Sequence, residues 1–198
     1  LDLYAGADWD IVDNRAHVQM EMCAPGSTAL LAWPEAEDVH IEAWQARTPT
    51  AEHWTDFIIR LNFAGLGETG PLLTFYRIRI WEDDPVEGAI EHIGLHCVQI
   101  DIFRITEEGD EFGVNLREGA TQPYVCDWPD DRDFFITIDV VGNHFDVTVA
   151  DPAAPTVPLL EEHVDDTTPD ALVEPGRFGI GHCVGESFFD DFVLRSLD

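Results

Sequence analysis

Apolar residues in this chain come in short runs that alternate with polar ones. An example is Phe57-Ile58-Ile59-Arg60-Leu61-Asn62-Phe63. A period of two places successive side chains on opposite faces of a half-buried strand, whereas an amphipathic helix needs apolar residues every three to four positions. The runs are also rich in Val, Ile, Phe, Tyr and Trp, which suit a pleated surface. On this basis strands are expected over 16–23, 38–46, 56–64, 72–81, 94–105, 112–116, 133–141, 144–150, 176–183 and 187–195. So many strands in one chain call for two packed sheets. Gly142-Asn143, between two alternating runs, reads as a two-residue hairpin turn. Thr106-Glu107-Glu108-Gly109-Asp110 reads as a second turn. The Pro-, Gly- and Asp-rich stretches 117–132 and 151–176 read as long loops, the latter with a short helical turn around Leu159 to His163.

A length of 198 residues suits an all-β sandwich with one core, so 1–198 is expected to be a single domain. The hydrophobic content of 45% is enough for that core, despite a formal net charge of -30. Forty acidic residues face ten basic ones, and all ten are arginine. Such a polyanion repels phosphate backbones and anionic membrane surfaces, so neither nucleic acid nor membrane is expected as a partner. No run is long and apolar enough to cross a membrane as a helix. Excess carboxylate without lysine points to a salt-rich habitat, because molar salt screens self-repulsion down to a Debye length of about 3 Å. Leu1-Asp2-Leu3-Tyr4 reads as neither a signal peptide nor an initiator start, as in a mature product or an excised domain. Cys23, Cys97, Cys126 and Cys183 lack metal-binding spacing and leave two disulfides or buried thiols equally open.

Three stretches, in order, resemble one family. Trp9-Asp10-Ile11-Val12-Asp13-Asn14 is similar to an opening "W-x-V-x-D-G" strand and turn. The run from Phe134 to Val149 resembles a hairpin joined by Gly-Asn. Gly176-Arg177-Phe178-Gly179-Ile180-Gly181 with Ser187-Phe188-Phe189-Asp190-Asp191-Phe192-Val193-Leu194 resembles a closing "GRxGL... FDDxxV" pair. The resemblance is to concanavalin A-like lectin/glucanase modules, including laminin G-like and 3-keto-disaccharide-hydrolase-like domains. It implies an all-β, two-sheet antiparallel jelly roll with the first and last strands adjacent. It also implies a structural Ca²⁺ on the final strand, where Asp191 matches the ligand position and oxygen donors suit a hard cation.

The resemblance implies no single activity. Glycoside hydrolysis needs two carboxylates flanking the scissile bond. The Glu-x-Asp-x-x-Glu strand that supplies them in laminarinase-type relatives is missing, so no catalytic residue is assigned. The nearest acidic strings, Glu108-Gly109-Asp110-Glu111 and Glu82-Asp83-Asp84, are expected at turns. No Gly-x-Ser-x-Gly elbow is present. His92, His96 and His182 invite a transition-metal reading, although His-Cys pairs on strands more simply have one face buried.

Alternation offers a binding face. If Phe57, Ile59, Leu61 and Phe63 face the core, Arg60 and Asn62 face out; likewise Arg77, Arg79 and Trp81 oppose Tyr76, Ile78 and Ile80, and His40, Glu42 and Trp44 oppose Val39, Ile41 and Ala43. Four scarce arginines (60, 77, 79 and 104) thus fall on central strands. A groove of Glu42, Trp44, Arg60, Arg79 and Trp81 would stack sugar rings on indoles and hold hydroxyls or an acidic substituent with guanidinium groups. Cross-strand pairing of these arginines with Glu42 and Asp101 is the structural alternative.

The resulting expectation is a noncatalytic carbohydrate-binding or adhesion module, extracellular or on a cell or virion surface in brine. Its partner would be a glycan or cell-surface polysaccharide, and it would act alone, as a homo-oligomer or on a larger surface assembly. A glycoside hydrolase or lyase of the 3-keto-disaccharide-hydrolase-like type is the first alternative. A purely structural virion or surface-layer block is the second.

Overall fold

The structure is a computed structural model that describes residues 8–13, 15–20, 28–30, 35–47, 53–66, 71–83, 97–106, 113–117, 124–126, 133–183 and 185–197. Its strands are β1 (Asp8–Val12), β2 (Arg15–Met20), β3 (Thr28–Leu30), β4 (Val39–Arg47), β5 (His53–Leu66), β6 (Pro71–Asp83) and β7 (Cys97–Ile105). There follow β8 (Val114–Asn115), β9 (Tyr124–Cys126), β10 (Phe134–Val141), β11 (His144–Ala150), β12 (Pro158–Asp165), β13 (Arg177–Cys183) and β14 (Gly185–Ser196). No helix occurs among the described residues.

The first sheet runs β1-β2-β14-β4-β10-β11-β12 and the second β3-β13-β5-β6-β7-β8, with β9 also on β7. All strand pairs are antiparallel. Because β14 sits between β2 and β4, the first and last strands are near neighbours. The sheets enclose one apolar layer: Val39, Ile41 and Ala43 of β4 with Ile136, Ile138 and Val140 of β10 meet Phe57, Tyr76, Ile78 and Ile100 from the other side. The Tyr76 and Phe145 rings meet edge to face across that layer, 4.7 Å apart.

The Gly-Asn hairpin forms as expected, with Val141 opposite His144 and Gly142 at φ 56. A Cβ there would meet nothing within 4 Å, so only the backbone torsion requires glycine.

The helical turn expected near Leu159 to His163 does not form: this stretch is strand β12, paired to β11. Leu160 and Val164 are four residues apart, a spacing that fits one helical face as well as alternate strand positions. The residue that would distinguish the two, Glu162, is an inward-facing acid instead of an apolar residue, and it pairs with Arg117. The two long loops are therefore shorter than expected, since β9 also falls within 117–132.

Cys97 is disulfide-bonded, and Cys126 stands directly opposite it in the β7–β9 register. Among the described residues no cysteine is free. Cys23 lies outside the described residues.

Candidate functional site

The four central-strand arginines separate into two pairs with different roles. Arg60 was expected to face outward, but it is fully buried. The β5–β6 register shifts between Ile59 and Asn62, and Arg60 takes φ 55, so the alternation reverses there and Phe63 emerges 64% exposed. The Arg60 guanidinium donates to backbone carbonyls of Glu37 (2.9 Å), Leu172 (2.6 Å) and Gly142 (2.5 Å). Gly176 packs against this bulge so closely that a Cβ would lie 2.5 Å from the Arg60 carbonyl carbon. Arg104 also points inward. Its Nη1 donates to both oxygens of Asp166 at 2.8 and 2.7 Å, and the Tyr76 hydroxyl donates to the same carboxylate at 2.9 Å. Tyr76 in turn accepts from the Leu172 amide. Arg60 and Arg104 therefore tie loops to the end of the sandwich and are excluded from any outer groove.

Arg77 and Arg79 do face outward on β6, and the register of the second sheet arranges their neighbours in rows. Trp54, Trp81 and Gln99 form one row across β5, β6 and β7; Asp56, Arg79 and Asp101 form the next; Ile58, Arg77 and Phe103 form the third, continued by Asn115 on β8. On the far side of β5, Gly181 and Gly179 stand opposite Asp56 and Ile58, so the rows end against bare backbone.

Arg79 is held from several directions. Its Nε and Nη2 donate to the two oxygens of Asp56 at 2.6 and 2.7 Å, a bidentate fork. Its guanidinium carbon lies 4.5 Å from the Trp54 ring and 4.8 Å from the Trp81 ring, close enough for cation–π attraction to both. The indoles are 5.1 Å apart and inclined at 51°.

Asp101, 3% exposed, accepts from Asn115 at 3.1 Å and from Gln99 at 3.4 Å. Burial pushes its carboxyl above the usual range, outweighing the hydrogen bond from Asn115 and the charges of Arg79 and Arg117. Burial likewise raises Glu162, against the charge of Arg117 beside it. Trp54, Trp81 and Gln99 are half-buried, whereas Asp56 and Arg79 are buried beneath them. A ligand would thus enter over the tryptophan row and find amide, guanidinium and carboxylate groups below.

The five residues expected to line one groove do not come together. Arg79 and Trp81 share the outer face of the second sheet. Glu42 and Trp44 lie on the outer face of the first, since Ile41 and Ala43 beside them in β4 point into the core. There the Trp44 indole donates to Asp133 at 2.9 Å and Glu42 pairs with His40. The alternation of β4 and β6 was read correctly, but it does not reveal that the two strands belong to different sheets. Trp54 and Asp56 were missed, although their cross-strand pairing with Trp81 and Arg79 makes them part of the same face. Their signal was the continuation of the β5 alternation N-terminally past Phe57.

Asp191 sits at φ 48 on a bulge of β14, exposed to solvent. Both oxygens of its neighbour Asp190 are engaged, one by Arg15 and one by the Asp191 amide. Calcium requires about six to eight oxygen ligands. Among the described residues no group of three or more His, Cys, Asp or Glu side chains is placed to hold a metal. His182 faces inward, 1% exposed, with Nδ1 3.4 Å from the Thr55 hydroxyl, as a strand histidine with its face buried. His92, His96 and the acidic string at 108–111 lie outside the described residues, whereas Glu82 and Asp83 end β6.

The sequence matches no protein-family model and no curated protein. Solved structures are similar in fold. A Bacillus subtilis protein of unknown function with a galectin-like fold aligns over 96% of this chain and 86% of its own, with a TM-score of 0.60 at 10% identity. A candidate glycosyl hydrolase from Parabacteroides distasonis aligns over 96% of this chain and 83% of its own, with a TM-score of 0.56 at 10% identity. A legume lectin-like domain from Entamoeba histolytica aligns over 98% and 89%, with a TM-score of 0.50 at 8% identity. At such identities the likeness is one of fold, and that fold is the concanavalin A-like two-sheet sandwich.

Proposed function

We propose that this chain is a noncatalytic carbohydrate-binding module whose ligand sits on the outer face of the second sheet. The observation that carries the reading is Arg79, forked onto Asp56 and enclosed by Trp54 and Trp81, in register with Asp101. Indole faces and edges suit the apolar faces of a pyranose, while a mixed set of fixed donors and acceptors suits hydroxyl groups. Lectin-like relatives in fold support the reading. The acidic, lysine-free composition supports a setting in brine, and display on a cell or virion surface there is part of the same proposal.

The test is a glycan array and calorimetry in molar salt with three proteins: the parent chain, Trp54→Ala and Trp44→Ala. Trp54→Ala should weaken binding about tenfold or more, equivalent to ~1.4 kcal/mol. Trp44→Ala, on the other sheet, should leave it unchanged. Failure of the parent chain to bind any glycan would overturn the proposal.

One observation favours an enzymatic second reading. Asp101, raised by burial, and Asp56, held by Arg79, lie two strands apart, about 10 Å between backbones. A glycosidase needs one protonated and one ionised carboxyl flanking its bond. Turnover of chromogenic glycosides that Asp101→Asn abolishes, with binding retained, would replace the binding-module reading with this one.

A further inference from the structure

The outer face of the first sheet carries a second organised set of side chains, unrelated to the tryptophan rows. His40 of β4 places Nδ1 2.7 Å from Asp139 of β10 and Nε2 3.0 Å from Glu42. Across the next strand pair, Asp139 stands directly opposite Asp146 of β11. The Asp146 Oδ1 atom is shared by two histidines, Nε2 of His144 at 3.0 Å and Nδ1 of His163 of β12 at 2.5 Å. His144 also meets Asp165 of β12 at 2.8 Å, and His163 lies 3.8 Å from Glu161. Three imidazoles thus connect five carboxylates across β4, β10, β11 and the edge strand β12.

Two carboxylates directly opposite each other in an antiparallel pair repel. Here each of the two is contacted by at least one histidine from a neighbouring strand or from its own. An imidazole placed between two carboxylates must carry two protons to donate to both, so the arrangement is complete only when the ring is a cation. Arg195 of β14, opposite His40 in register, is the cationic group facing this row from the remaining side, and it opposes the charging of His40.

We propose that this face is a proton-operated clasp, in which protonated His40, His144 and His163 hold edge strand β12 and its neighbours together and release them on deprotonation. Burial lowers His40, but hydrogen bonds to Asp139 and Glu42 outweigh it and raise the ring above its ordinary 6.5. For His144 the Asp165 contact is the largest cause of the upward shift, and for His163 the Asp146 contact. Raised histidine values in the folded state mean that the stabilisation is fully present below about 6.5, the unfolded value, and is lost as the pH rises through the folded values above it. The clasp therefore loosens as the pH climbs above the ordinary imidazole value of 6.5. Salt weakens it, because His144 and His163 are half-exposed.

The test combines imidazole titration by NMR with thermal melts from pH 5.5 to 9 at low and high salt. The comparison protein is the triple variant His40→Gln, His144→Gln, His163→Gln, with Asp146→Asn as a second variant that removes the repelling pair. In the parent chain the three rings should titrate above 6.5, and Tm should fall by several degrees between pH 6 and pH 9. Amide exchange in β11 and β12 should quicken beyond its intrinsic pH dependence over the same range. The triple variant should show neither response, and Asp146→Asn should show a reduced one. Rings titrating at or below 6.5, or a triple variant whose melts track pH as the parent's do, would overturn the proposal. Because no variant touches the second sheet, glycan binding measured alongside fails or survives separately.

Discussion

Arg104 and Asp166 have almost no access to water, with side chains 5% and 0% exposed. Removing one member of such a pair strands the other's charge in a medium that solvates it poorly. Asp166→Asn or Arg104→Met should therefore cost about 3 to 5 kcal/mol, readable in urea unfolding. The replacement of both by apolar residues should cost much less, because the penalty lies in the stranded charge. Burial alone would raise Asp166, but hydrogen bonds from Thr168, Arg104 and Tyr76 lower it below its ordinary 3.8. A lowered folded value means stabilisation that is present above the unfolded value and lost as the pH falls through the folded one. Acid unfolding below about pH 4 should thus be blunted in Asp166→Asn relative to its own neutral stability. Arg79 differs, because its pair with Asp56 lies beneath half-buried tryptophans on an outer face.

At the level of elements, the β10–β11 hairpin was readable in advance because its two strands alternate cleanly and Gly142-Asn143 supplies the turn. Gly142→Ala should lower stability by about 1 kcal/mol or more, since an L side chain at φ 56 is strained even in open space, and a chemical melt would measure it. Strand β12 was not readable, because its middle inward position holds Glu162. That acid is acceptable only where Arg117, from the turn after β8, arrives beside it. Strand β5 was readable up to Ile59 and then failed at a bulge. A Cβ at Gly176 would collide with the Arg60 backbone, so glycine at 176 and the bulge at 60 accommodate each other across more than a hundred residues of chain. Such a pairing leaves no local trace in either stretch.

For the whole molecule, a formal charge of -30 on 198 residues sets the dependence on solution conditions. Like charges spread over a compact surface repel, and molar salt reduces their reach to about 3 Å. Tm should rise by several degrees or more between about 0.1 M and 2 M potassium chloride at pH 7, even though the histidine clasp weakens over the same range. A flat or falling Tm would remove the support for a salt-rich habitat.

By itself, the amino-acid sequence determined the all-β class, most of the strands, and which side of most of them is apolar. Those properties follow from a period of two, which any window of residues displays. The sequence also specified a polyanionic surface, which needs only counting. The tertiary structure decided which strands share a sheet, and therefore that Trp44 and Glu42 lie on the opposite side of the sandwich from Arg79 and Trp81. It also decided which arginines point into the interior. Strand order and bulges depend on contacts between residues far apart in the chain, and one extra residue in a strand reverses every face that follows it.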